Sequence, residues 1–165
     1  MLNKVAFLII GLFMTQLDSC EKTDVAIKED LAGEWVLKNV FLSDAIDTPC
    51  GWEVDKHEPL TLNITKDGNG YSFGGNAVIN TYFGSLELIS FDEKNQTGKI
   101  QTGPIGSTRK GGPENLMNCE TRFLTQLDTA TDFAFDDNGE LRIGNFRDEN
   151  SHPRDGGYYL IFEKK

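Results

Sequence analysis

Leu60-Thr61-Leu62-Asn63-Ile64-Thr65-Lys66-Asp67-Gly68-Asn69-Gly70-Tyr71-Ser72-Phe73 is the stretch that decides the fold. Leu60, Leu62 and Ile64 alternate with Thr61, Asn63 and Thr65, and a period of two sends the apolar set to one face of a strand and the polar set to the other. Asp67 to Gly70 supplies residues that tolerate positive φ, so the chain reverses there as a hairpin. Half-buried strands joined by tight turns build an antiparallel sheet.

The pattern extends in both directions. Glu34 to Leu42 reads as the first strand, with Trp35 and Leu37 on one face. Tyr71 to Ile79 and Tyr82 to Phe91 form the next extended pair, and Lys99 to Thr102 is a shorter run. Phe133 and Phe135 alternate before Asp136-Asp137-Asn138-Gly139, a second hairpin signal, and Leu141 and Ile143 continue the alternation. Tyr158 to Phe162 closes the chain. No internal repeat, low-complexity tract or second domain boundary interrupts this order.

One helix does. Gly112-Pro113 opens it, with proline suited to the first helical position and Glu114 complementing the positive end of the dipole. Leu116, Cys119, Phe123 and Leu127 recur at helical spacing and define an apolar arc. Glu120 falls in the middle of that arc. A buried carboxylate needs a partner or a raised pKa, and Arg109, just upstream, is the expected partner.

The N-terminus sets the compartment. Lys4 precedes Val5 to Met14, an apolar run that reaches only about half of a bilayer core, as a signal-peptide segment does. Leu17-Asp18-Ser19-Cys20 resembles the bacterial lipobox, which directs cleavage before Cys20 and lipidation of its thiol; an ordinary signal peptide with a nearby cysteine is the alternative. The expected organisation is therefore a signal peptide over 1–19, a charged tether over 20–30 and one domain over 31–165. Lipidation would leave Cys50 and Cys119 as an even pair in an oxidising envelope. A bond between them closes a loop of about 70 residues, worth on the order of 4 kcal/mol in the chain-entropy model; two buried free thiols are the other reading.

The chain carries 16 basic and 26 acidic residues, a net charge of −10, and the acidity is spread along its length. That argues against nucleic acid, whose phosphates need a basic stripe, and against adsorption to anionic lipid. Acyl chains on Cys20 are then the membrane attachment.

Two separated motifs carry a family resemblance. Ser107-Thr108-Arg109, Gly111-Gly112-Pro113, Met117, Glu120, Phe123 and Leu127 resemble the signature of the META-domain (HslJ-like) family: Thr-Arg-x-x-x-Pro, then Met, Glu, Phe and Leu at these intervals. Asn80-Thr81-Tyr82-Phe83-Gly84 is similar to the family's Asn-x-aromatic-x-Gly element, and Trp35 fits its first strand. The resemblance runs from about Leu31 to Phe162. Many relatives place cysteines immediately before that asparagine and that proline, where this chain has Ile79 and Gly112. One staple looks exchanged for another, Cys50 with Cys119. The resemblance implies a mainly β fold: a strongly twisted antiparallel sheet of about seven to eight strands curling toward a barrel, with the helix packed across it. It also implies an envelope protein connected with stress tolerance, with no established enzyme activity.

The residues offer little against that. His57 and His152 lie in polar, proline-containing segments without a nucleophile elbow or an HExxH motif, so neither is expected to be catalytic. The glycine-rich Gly103–Gly112 loop lacks Walker spacing, although an anion at the helix N-terminus stays open. Asp136-Asp137-Asn138 and Asp67-Gly68-Asn69 lack calcium-loop spacing and read as turns. No metal or cofactor is expected.

Three functions remain. The first is a non-enzymatic envelope lipoprotein, lipid-anchored in the outer membrane foremost, acting as an interaction or stress-response module with an envelope protein partner. The second is a small-ligand barrel lined by Trp35, Tyr71, Phe73, Tyr82 and Phe83. The third is an enzyme using Glu120 and Arg109 as an acid–base pair.

Overall fold

The computed structural model describes residues 31–51, 54, 56–68, 70–147, 150, 152 and 154–165. Cys20, with the expected signal peptide over 1–19 and tether over 20–30, lies outside the described residues.

The alternation around Leu62 forms β3 (Thr61–Asp67), and its hairpin partner is β4 (Gly70–Asn76), with Asp67 opposite Gly70 and Gly68 at φ +58°. β1 (Gly33–Leu42) pairs with β3 on one side, and β5 (Thr81–Asp92) pairs with β4 on the other. β6 (Thr97–Thr102) follows, then the helix α1 (Glu114–Asp128), β8 (Asp132–Phe135), β9 (Leu141–Phe146) and β10 (Gly157–Lys164). The spatial order is β1-β3-β4-β5-β6-β8-β9-β10, every neighbour antiparallel. β10 returns to β1, from Trp35 opposite Lys164 to Leu42 opposite Tyr158. The sheet is therefore closed, an eight-stranded antiparallel barrel. Two short strands, β2 (Ala45–Asp47) on β1 and β7 (Gly106–Ser107) on β5, lie off this ring.

Closure turns one face of every strand inward. Trp35, Leu62, Ile64, Phe73, Ile100, Phe133, Leu141, Ile143, Leu160 and Phe162 all fall in the buried core. A bulge between Leu37 and Asn39 keeps both Leu37 and Val40 buried on β1. Gly84 is small for a reason: a Cβ there would stand 2.5 Å from Cζ of Phe73, so the aromatic ring lies directly over it. β4 is shorter than its apolar residues suggest, since the chain leaves the strand after Asn76 and turns at Ala77–Asn80. Val78 adopts φ +90° in that turn, a conformation β-branched residues rarely accept.

The helix starts one residue later than read, with Pro113 at the cap and Glu114 the first helical residue. It connects the end of β6 to the start of β8, so it lies across the barrel end where β4 and β6 finish and β5 begins. Cys119, Glu120, Phe123 and Leu127 are its buried residues.

At the β8–β9 turn the Asp136 carboxylate accepts the amides of Asn138 and Glu140, both at 2.9 Å, and Arg142 Nη2 at 3.0 Å. Burial works to raise its pKa, but these hydrogen bonds and the guanidinium outweigh it and hold the carboxyl below its ordinary value of 3.8. A depressed folded-state pKa gives stability that is complete above the unfolded value and disappears as pH falls through the folded one. The wild type should therefore lose stability below about pH 4 along a steeper line than Asp136→Asn, and the two should converge at lower pH. Urea midpoints measured against pH for both proteins check this.

Candidate functional site

Glu120 is the one carboxylate on the buried face of the helix, and only 5% of it is exposed. Its Oε2 accepts the backbone amides of Ile79 at 3.1 Å and Asn80 at 2.8 Å, and Oε1 accepts Nδ2 of Asn80 at 2.7 Å. Asn80 is itself 2% exposed. Its Oδ1 accepts the Thr108 hydroxyl at 2.8 Å and the Lys110 amide at 2.7 Å, while Nδ2 also reaches the Lys110 carbonyl at 3.2 Å. Thr108 completes the cluster by accepting the Thr81 amide at 3.2 Å and donating its own amide to the Thr81 carbonyl at 3.0 Å.

This is a three-way junction. One asparagine ties the helix, the β4–β5 turn and the 103–113 loop into a single hydrogen-bonded unit. Backbone amides and an amide side chain supply every donor to Glu120, so the charge is met by dipoles alone. The strained Val78 sits immediately before the two amides that Glu120 holds, which supplies the local compensation such a backbone needs.

The expected Arg109–Glu120 pair does not form. Arg109 is exposed and makes no hydrogen bond or ion pair among the described residues. A carboxylate already accepting three donors has no need of a guanidinium, and bringing one in would cost its desolvation. The partner that sequence reasoning missed, Asn80, lies 40 residues upstream. It was visible only as a motif residue, because nothing local connects it to the helix.

Other sequence-predicted residues surround this junction. Phe123 packs edge-on against Tyr82, ring centres 5.5 Å apart, below the helix. The Tyr82 hydroxyl donates to the Thr61 carbonyl at 2.7 Å, and burial pushes its pKa well above the ordinary phenol value. Trp35 is fully buried and donates Nε1 to the Leu31 carbonyl at 3.0 Å. Pro113 accepts the Met117 amide at the start of the helix. Phe83, expected to line the interior, is 67% exposed on the outer wall. Its neighbour Tyr82 already points inward, and a strand cannot turn adjacent residues the same way. Tyr71 is half-buried.

On the other side of the helix, Cys50 and Cys119 form a disulfide with Sγ atoms 2.08 Å apart and Cα atoms 4.9 Å apart. Arg122 Nη2 donates to the Cys50 carbonyl at 2.8 Å beside it. Ile79 and Gly112 are neighbours: a Cβ on Gly112 would stand 2.3 Å from Cδ1 of Ile79. The isoleucine fills the space where a second side chain would otherwise meet it. His57 is half-buried, with Nδ1 2.8 Å from the Glu58 carbonyl, and His152 is exposed. Among the described residues no group of three or more His, Cys, Asp or Glu side chains is placed to hold a metal ion.

The comparison that bears on this geometry is with a family model. The META domain model matches residues 29–154, most of the chain. The chain belongs to the META domain family. The match ends before β10, the strand whose pairing with β1 closes the META domain barrel in this protein. Among solved structures, the NMR structure of a protein from Burkholderia xenovorans superposes with a TM-score of 0.50 at 17% identity, covering 81% of each chain. At that identity the likeness extends to the fold. No curated protein matches the sequence.

Proposed function

We propose that this protein is a non-enzymatic cell-envelope lipoprotein that holds its META domain at the membrane as an interaction or stress-response module. In this reading residues 1–19 are the signal peptide, Cys20 carries the lipid, 20–30 are the tether and 31–165 are the displayed domain, with the outer membrane the expected location and an envelope protein the expected partner. One observation carries it. Glu120, the residue best suited to acid–base chemistry, spends both oxygens on holding the helix to the barrel, and it is nearly closed to solvent. A general acid or base needs reach to a substrate proton, and this carboxylate has none.

The interior works against a ligand barrel. Trp35, Phe73, Tyr82, Phe133 and Phe162 fill it, and each is at most 4% exposed. Among the described residues no helix is long and apolar enough to cross a membrane. In this reading attachment falls to the lipid, where two or more acyl chains give stable anchoring and one does not.

The test is fractionation of cells expressing the wild type and Cys20→Ser. The wild type should stay with detergent-extractable membranes and label with radioactive palmitate, whereas Cys20→Ser, which can be neither lipidated nor cleaved at the lipobox, should be unlabelled and keep its signal segment. The domain begins at Leu31, so the variant should melt as the wild type does. A wild type that takes up no palmitate, or a Cys20→Ser protein labelled and processed like the wild type, would overturn the lipoprotein reading.

A further inference from the structure

The outer wall of the barrel carries a depression that neither the helix nor the core uses. It has a volume of about 460 Å³ and lies over β5, β6, β8 and the end of β9, lined by Ser90, Thr97, Lys99, Asp132 and Phe146 together with Asp92 and Arg147. Asp132 is buried, as Asn80 and Glu120 are elsewhere in the fold. Its two oxygens are treated differently. Oδ2 accepts the Thr131 hydroxyl at 2.7 Å and the Phe146 amide at 3.3 Å, so it is built into the fold. Oδ1 is met by Lys99 Nζ, at the end of a side chain that is 62% exposed.

Lys99 reaches Oδ1 from an exposed side chain that can swing back into solvent, so a ligand hydroxyl can take its place as the donor to Oδ1. The displaced ammonium then has three donors to turn toward another ligand oxygen. Two carboxylates and two cations line the depression, so their formal charges cancel and a neutral ligand suits it better than an ion. Ser90 and Thr97 add hydroxyls. Phe146, fixed edge-on against Tyr159 with ring centres 5.3 Å apart, contributes a rigid apolar surface. A neutral molecule with many hydroxyls and one apolar face is a pyranose.

We propose that this depression binds a pyranose unit of a carbohydrate chain. The site lies on the barrel exterior and is independent of the packed interior and of Cys20. Its failure therefore leaves the lipoprotein reading intact, and the converse also holds.

Saturation-transfer NMR tests it, using the full chain purified in a sugar-free zwitterionic detergent. Maltotetraose and chitotetraose are the probes, the first standing for glucan-type surface polysaccharide and the second for N-acetylated wall glycan. Saturation should reach ring protons of at least one sugar, with affinity in the millimolar range. Whichever sugar binds names the source. Ser90→Trp, an exposed position that fills the depression without entering the core, should weaken binding at least tenfold. Asp132→Asn should do the same wherever it melts as a folded protein, and Ser90→Trp stands alone if it does not. No transfer to either sugar, or transfer undiminished in Ser90→Trp, would overturn the proposal.

Discussion

Glu120→Ala should destabilise the protein by about 3–5 kcal/mol, because each buried donor left without its acceptor costs about 1–3 kcal/mol. Three donors lose their acceptor at once: the Ile79 and Asn80 amides and Asn80 Nδ2. Truncation leaves these donors beside a cavity with no side-chain acceptor in reach. Glu120→Gln should cost less. Its carbonyl oxygen can still accept both backbone amides, but its own NH2 then faces Asn80 Nδ2, donor against donor. Chemical denaturation should rank the proteins wild type, Gln, Ala. Glu120→Gln should keep whatever envelope phenotype the wild type supports, as long as it is folded. A folded Glu120→Gln protein without that phenotype would restore the enzyme hypothesis.

Removing the Cys50–Cys119 bridge should be nearly as costly. The cysteines are 69 residues apart in sequence, so the bond restricts a long stretch of the unfolded chain, and losing a native bridge from a small secreted domain typically costs about 2–5 kcal/mol. In the folded state Cys50 is also held by Arg122, and both cysteines are buried. The Cys50→Ala/Cys119→Ala double variant should therefore unfold at lower urea but keep its barrel. The native protein should resist thiol reagents until it is reduced. Equal urea midpoints for the wild type with and without reductant would contradict this.

How far the sequence reaches is shown by particular residues. Leu62 and Ile64 placed themselves, because a strand with one wet face must alternate. Phe123 and Leu127 did the same at helical period, and with them the inward direction of Glu120. Ala77, Val78 and Ile79 misled, since apolar residues with two β-branched members read as strand continuing to Ile79, whereas the chain turns there with Val78 at φ +90°. The turn is imposed by Glu120, 40 residues downstream, which captures the next two amides. Local pattern holds no record of such a contact. Arg109 misled differently. A nearby opposite charge is the obvious partner for a buried carboxylate, yet uncharged dipoles satisfy it at a lower desolvation cost. The pairing of β1 with β10 was implied only by the family resemblance, because Trp35 and Lys164 stand at opposite ends of the domain. β2 and β7, at three and two residues, are too short to show a period at all.

The central claim is that Glu120 and Asn80 hold the helix to the barrel, and amide hydrogen exchange at Ile79 and Asn80 tests it most directly. Both amides lie in a turn outside any strand, where exchange is ordinarily fast. If Glu120 accepts them, they should exchange as slowly as core amides of β4 and β5, and in a Glu120→Ala protein that still folds they should speed up while the strand amides hold. Fast exchange of both amides in the wild type, or slow exchange left unchanged by Glu120→Ala, would contradict the account.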